Sequence, residues 1–222
     1  MPENQNRFSA VQILIFDLDG TLIDSKLDLA NSVNATLVHM GQKPLSHETI
    51  CGYVGNGAPV LIKRALGREA TEQEAETGLA FFLSHYREHK LDNTVLYPGV
   101  REGLEMLKNY RMAILTNKPV NISRAILQGL GVASYFEFVY GGNSFEKKKP
   151  DPMGVEVLLR DFTATPPQAM MVGDSDVDVL TARNSGIWSC GVSYGLGTKG
   201  MKAHPPDVML DSLTELPAHL RA

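Results

Sequence analysis

The sequence predicts an α/β fold: a doubly wound parallel-sheet core, with a small all-helical domain inserted after the first strand. Three observations predict it. Short apolar runs recur along the 222 residues, several ending at a polar or glycine-containing cluster. Helical patterns lie between them, and alternation of strand and helix is the pattern of a parallel sheet covered on both faces. One long stretch, from about Asp24 to Leu96, breaks the alternation and shows helical periodicity with no convincing strand.

The elements follow in order. Val11-Gln12-Ile13-Leu14-Ile15-Phe16 is a short, mainly apolar run that stops at Asp17 and a Gly-Thr turn, as a strand buried on both faces does. The inserted stretch carries apolar positions at helical spacing: Leu27, Leu29, Ala30, Val33 and Leu37, then Val60 to Leu66, then Ala75, Leu79, Phe82, Leu83 and Tyr86. Its hinges are placed around Asp24-Ser25 and Leu96-Tyr97-Pro98-Gly99. This predicts a core domain at residues 1–23 and 97–222 and a helical cap at 24–96. Beyond the second hinge, strands are expected at Met112–Leu115, Phe138–Tyr140, Ala169–Val172, Ser189–Val192 and Val208–Leu210. Helices are expected at Val100–Lys108, Ser123–Leu130 and Asp178–Asn184, and Gly131 and Gly186 supply stop signals for the last two.

Hydrophobic residues make up 43% of the chain and charged ones 21%, as in ordinary globular proteins. A net charge of -4 argues against a nucleic-acid partner, since phosphate backbones select basic surfaces. No segment approaches the roughly 20 apolar residues of a membrane span. The first ten residues lack the apolar core of a signal peptide, so a cytoplasmic location is expected. The two cysteines, Cys51 and Cys190, are far apart and predict two buried thiols rather than a disulfide.

Open α/β sheets bind ligands at the carboxyl ends of their strands. Asp17 and Asp19, spaced i, i+2, and Asp174, after a later strand, should therefore meet. Three carboxylates at one edge repel unless a hard divalent cation neutralises them, and Mg2+ suits oxygen ligands and a substrate phosphate. Thr116 adds a hydroxyl and Lys149 a fixed positive charge. Such a set can carry phosphoryl transfer, with one carboxylate as nucleophile and another as proton donor and acceptor.

Four segments resemble, in order, the motifs of the haloacid dehalogenase-like superfamily: Asp17-Leu18-Asp19-Gly20-Thr21, Leu115-Thr116-Asn117-Lys118-Pro119, Lys148-Lys149-Pro150-Asp151-Pro152 and Gly173-Asp174-Ser175-Asp176-Val177-Asp178. The resemblance implies a Rossmann-like core and a closing cap of the first type. It implies Asp17 as nucleophile and metal ligand, and Asp19 as general acid/base that gives the metal a backbone carbonyl. Thr116 and Asn117 would bind the phosphoryl group, and Lys149 would hold nucleophile and phosphate. Asp174 would bind the metal, with Asp178 behind it or acting through water. The dehalogenases of the superfamily lack the second acid and need no metal, so Asp19 points to a magnesium-dependent phosphatase. Leu22-Ile23-Asp24-Ser25 with Asp28-Leu29, and Tyr53 to Ala58 with Leu61 and Arg64-Ala65, resemble phosphoglycolate phosphatases. A small phosphomonoester is the expected partner, on a monomer or homodimer, with no membrane involved.

Within the cap, the Gly55-Asn56-Gly57 turn is expected to bring backbone N–H groups close to an anion, and Arg64 to meet a substrate carboxylate. Other patterns carry less. The calcium-loop spacing at Asp174-Asp176-Asp178 lacks the required Gly and the final Glu. His85 and His89 have no third zinc ligand in view. Gly195 to Gly200 fits a dinucleotide fingerprint by letter but opens no long helix, and is expected to be a mobile loop beside the site. A phosphomutase or pyrophosphatase of the same superfamily, and a non-catalytic phosphometabolite-binding module, are the competing functions.

Overall fold

The structure is a computed structural model describing residues 7–220. Its elements run β1 (Ile13–Phe16), β2 (Ile23–Asp24), α1 (Lys26–His39), α2 (His47–Cys51), α3 (Ala58–Leu66), α4 (Glu72–His89), β3 (Val95–Leu96), α5 (Val100–Met106), β4 (Arg111–Leu115), α6 (Val120–Gly129), β5 (Phe138–Tyr140), α7 (Met153–Asp161), β6 (Ala169–Gly173), α8 (Asp176–Ser185), β7 (Trp188–Val192), β8 (Val208–Leu210) and α9 (Leu216–Leu220). Six strands form one sheet in the order β5-β4-β1-β6-β7-β8, every pair parallel. The strand order reverses beside β1, so the chain winds outward first to one side and then to the other.

The apolar run of β1 has two-sided work to do. Leu14 and Phe16 pack with Ile114, Val172 and the helix residues Leu104 and Ile126. Ile13 and Ile15 pack on the other face with Leu115, Met171, Val155 and Leu158. A period-2 backbone separates alternate side chains to opposite faces, and helices cover both. The carboxyl ends of β1, β4 and β6 consequently lie side by side, with Phe16 level with Ile114 and Val172.

The stretch expected to hold no strand differs at its two ends. Ile23–Asp24 and Val95–Leu96 pair antiparallel, with Ile23 opposite Leu96. Each is two residues long, too short to leave an alternating pattern. Between them α1 packs mainly on α4, and α3 on α4. Helix α4 begins with a capping box, in which the Thr71 hydroxyl accepts from the Glu74 N–H and Glu74 accepts from Thr71.

Buried Asp28 on α1 ties the return of the chain. It accepts the backbone N–H groups of Asn93 (3.0 Å) and Thr94 (2.8 Å), and also the Asn93 amide and Thr94 hydroxyl. Burial alone would push this carboxyl up, but those donors outweigh it and the net shift is downward. Both cysteines are free; Cys190 is buried, whereas Cys51 is only half-buried. Among the described residues, no helix is long and apolar enough to cross a membrane.

Candidate active site

Asp17 directly follows β1 and its N–H still bonds the Val172 carbonyl, so the nucleophile candidate is held by the sheet ladder itself. Lys149, buried on the loop before α7, places its ammonium 2.9 Å from Asp17 Oδ1 and 2.6 Å from Asp178 Oδ1. Asp178 is fixed in turn, because its Oδ2 accepts the N–H and hydroxyl of Ser175 at the start of α8. Burial works against the charge on Lys149, yet the two carboxylates raise its pKa overall.

Asp174 lies at the end of β6. Its Oδ2 accepts the N–H groups of Leu196 (2.7 Å) and Gly197 (2.9 Å), and its Oδ1 accepts the Thr21 hydroxyl. Asp17, Asp174 and Asp178 offer oxygens within 4.8 Å of one another, the one such acidic or His/Cys cluster among the described residues. Burial raises Asp17 to about 6, opposed by Lys149 and reinforced by Asp178. Burial, Asp178 and Asp17 raise Asp174 to about 7. An all-carboxylate set that destabilises its own charge fits a hard divalent cation.

The cluster joins Asp17 and Asp174 with Asp178, the further acid of the same motif. The Asp19 carboxylate is not among the clustered oxygens and has its own counter-ion. The Lys118 ammonium is 2.8 and 2.9 Å from the two Asp19 oxygens, and the Ser25 hydroxyl also donates to Oδ1. Lys118 is buried and lies 4.6 Å above the ring of Tyr86 on α4. Its charge survives burial because Asp19 raises its pKa.

Thr116 and Asn117 follow β4. The Thr116 N–H bonds the Tyr140 carbonyl, and its hydroxyl accepts the Lys118 N–H. The Asn117 amide donates to two carbonyls, Gly55 at 3.0 Å and Lys149 at 3.1 Å. Asp17, Asp19, Thr116 and Asn117 all border a cavity of about 50 Å³, which Leu61, Phe82 and Tyr86 of the helical segment also line.

Residues 14–192 match the family model described as haloacid dehalogenase-like hydrolase. The chain belongs to the haloacid dehalogenase-like hydrolases. A phosphoglycolate phosphatase of Colwellia psychrerythraea is 39% identical over 214 residues, covering 92% of this chain and 95% of that one. One of Vibrio parahaemolyticus is 39% identical, covering 93% and 94%. A Haemophilus somnus protein, described as a predicted phosphoglycolate phosphatase, has a crystal structure that superposes with a TM-score of 0.90. It is 32% identical and covers 96% of this chain and 99% of that one.

In this haloacid dehalogenase-like hydrolase the structure brings Asp17, Lys149, Asp174 and Asp178 together, but the cap residues divide. Gly55 and Gly57 border the cavity; Asn56 does not. The close approach there is to protein. Gly55 turns its carbonyl to Asn117, and a Cβ on Gly57, at φ +86°, would stand 3.0 Å from the Asn117 carbonyl oxygen. Arg64 is exposed, donates to the Tyr53 carbonyl and lies off the cavity wall. His85 bonds the Ser32 hydroxyl and His89 pairs with Asp92, and neither joins the cluster that could hold a metal.

Two features escaped the motif reading. Lys118 sat in the threonine motif without a role, and only its charge in an otherwise buried segment hinted at a partner. The Gly195 loop, expected beside the site, supplies two N–H donors to Asp174.

Proposed function

We propose that this protein is a magnesium-dependent phosphatase acting on 2-phosphoglycolate, or a phosphomonoester as short. The observation that carries the reaction type is Lys149 bridging Asp17 and Asp178 beside Asp174, with Asp17 itself bordering a small cavity. The cavity beside Asp17 and Thr116 is small and largely apolar, which suits a short phosphomonoester. The phosphoglycolate phosphatases at 39% identity over most of their length support the substrate.

Asp17 attacks phosphorus, its bond to the leaving oxygen breaks, and Asp19 gives that oxygen a proton. Asp19 then takes a proton from water, which attacks the aspartyl-phosphate and releases inorganic phosphate and Asp17. Thr116 and Asn117 orient the phosphoryl group, and Lys149 balances its charge. Asp17, Asp174 and the Asp19 carbonyl would hold Mg2+, with Asp178 behind them or linked through water. The ion would supply charge neutralisation on the phosphoryl oxygens.

Residues 24–96 act as a lid over a core built from 1–23 and 97–222, and closure excludes water. Function as a cytoplasmic enzyme suits this chemistry. The test is phosphate release from a panel of phosphomonoesters with Mg2+ and with EDTA. 2-Phosphoglycolate should lead the panel and EDTA should abolish release. An isomerised product without free phosphate would instead mark a phosphomutase.

A further inference from the structure

Resting on that substrate reading and deepening it, we infer that Lys118 recognises the substrate's carboxylate and, in doing so, releases Asp19. A carboxylate attached next to the phosphoryl group must enter the same cavity. The wall it meets is largely apolar, including Leu61, Phe82, Leu83 and Ile122. A carboxylate taken from water into such surroundings needs a positive partner. Lys118 is the one cationic side chain in that wall among the described residues. Lys149 is engaged by Asp17 and Asp178, and Arg64 is outside with the Tyr53 carbonyl.

Lys118 is also a movable group, an ammonium on a flexible four-carbon stem. In the structure it spans both oxygens of Asp19, the positions at which that carboxyl would carry a proton. An incoming carboxylate competes with Asp19 for the ammonium. As Lys118 turns to it, Asp19 keeps the Ser25 hydroxyl as partner and regains free oxygens for proton transfer. One side chain thereby links recognition of the acid group to readiness of the proton donor. A phosphomonoester without a carboxylate leaves the clamp in place.

The test compares kcat/KM for 2-phosphoglycolate and for ethyl phosphate, which has the same two carbons and no carboxylate. In the wild-type chain 2-phosphoglycolate should be strongly preferred. Lys118→Met should lower that preference about 10- to 100-fold, the value of one charged hydrogen bond. Lys118→Arg should retain most of it. Should Lys118→Met fail to fold, Lys118→Gln carries the same comparison. Equal loss on both substrates, with the preference unchanged, would overturn the inference and leave Lys118 as a support for Asp19 alone. A wild-type chain that treats the two substrates alike would instead overturn the substrate reading, a result separable from the first.

Discussion

Asp178 holds the Lys149 ammonium at 2.6 Å, closer than the 2.9 Å between that ammonium and Asp17. With its other oxygen occupied by Ser175, Asp178 acts mainly as an anchor for the lysine. Asp178→Asn should lower kcat roughly 10- to 100-fold, as loss of an orienting partner does. The Mg2+ concentration for half-maximal activity should shift less than in Asp174→Asn. Metal titrations of both variants check this, and the opposite order would make Asp178 a direct ligand.

Asp17→Asn removes the proposed nucleophile and should reduce phosphate release by more than about a thousandfold. Folding should not suffer. Burial and Asp178 already disfavour the charge of Asp17, and Lys149 keeps Asp178 as partner. Without divalent cations the melting temperature of the variant should equal or exceed that of the wild type. A melting scan beside a single-turnover assay decides it.

The anchor at Asp28 carries a pH signature. Its folded pKa is lowered, so its contribution is fully present above the ordinary carboxyl value near pH ~4 and is lost as pH falls through the folded value. Asp28→Ala should cost roughly 3 kcal/mol at neutral pH, because two backbone N–H groups lose their acceptor. That deficit should shrink below about pH 4. Urea unfolding at neutral and acid pH measures both, and a deficit unchanged with pH would refute the assignment.

Gly195 packs against Asp174 so tightly that a Cβ there would come within 2.1 Å of the aspartate's own Cβ. Gly195→Ala should therefore displace Asp174 or the two N–H groups that hold it. Activity at limiting Mg2+ should drop at least about tenfold, partly restored by excess Mg2+. A neutral result would show that the loop yields without moving Asp174.

Much of this was legible in the residues. Apolar runs such as Ile13–Phe16 announce buried parallel strands because both faces must be covered, and Asp17, Thr116 and Asp174 each directly follow such a run. What stayed hidden depends on partners remote in the chain. Lys118 and Asp19 are 99 residues apart, and nothing local to either names the other. Helix α7 lies behind a Lys- and Pro-rich entrance whose composition reads as a loop, although Val155 and Leu158 are core residues. Arg64 had the right chemistry for a carboxylate, but its helix faces it outward, which the motif alone cannot reveal.

The two short strands at the hinges have a consequence for descent and for engineering. Ile23 and Leu96 stand opposite one another, so the chain leaves the sheet and returns to it through one narrow gate. A segment with adjoining ends can be exchanged for another of different length at little entropic cost. The cavity-lining Leu61, Phe82 and Tyr86 travel with such a cassette. Asp19 and Lys118, outside residues 24–96, stay behind. Transplanting the segment should then alter how large a molecule is accepted while its preferred charge is inherited from the recipient.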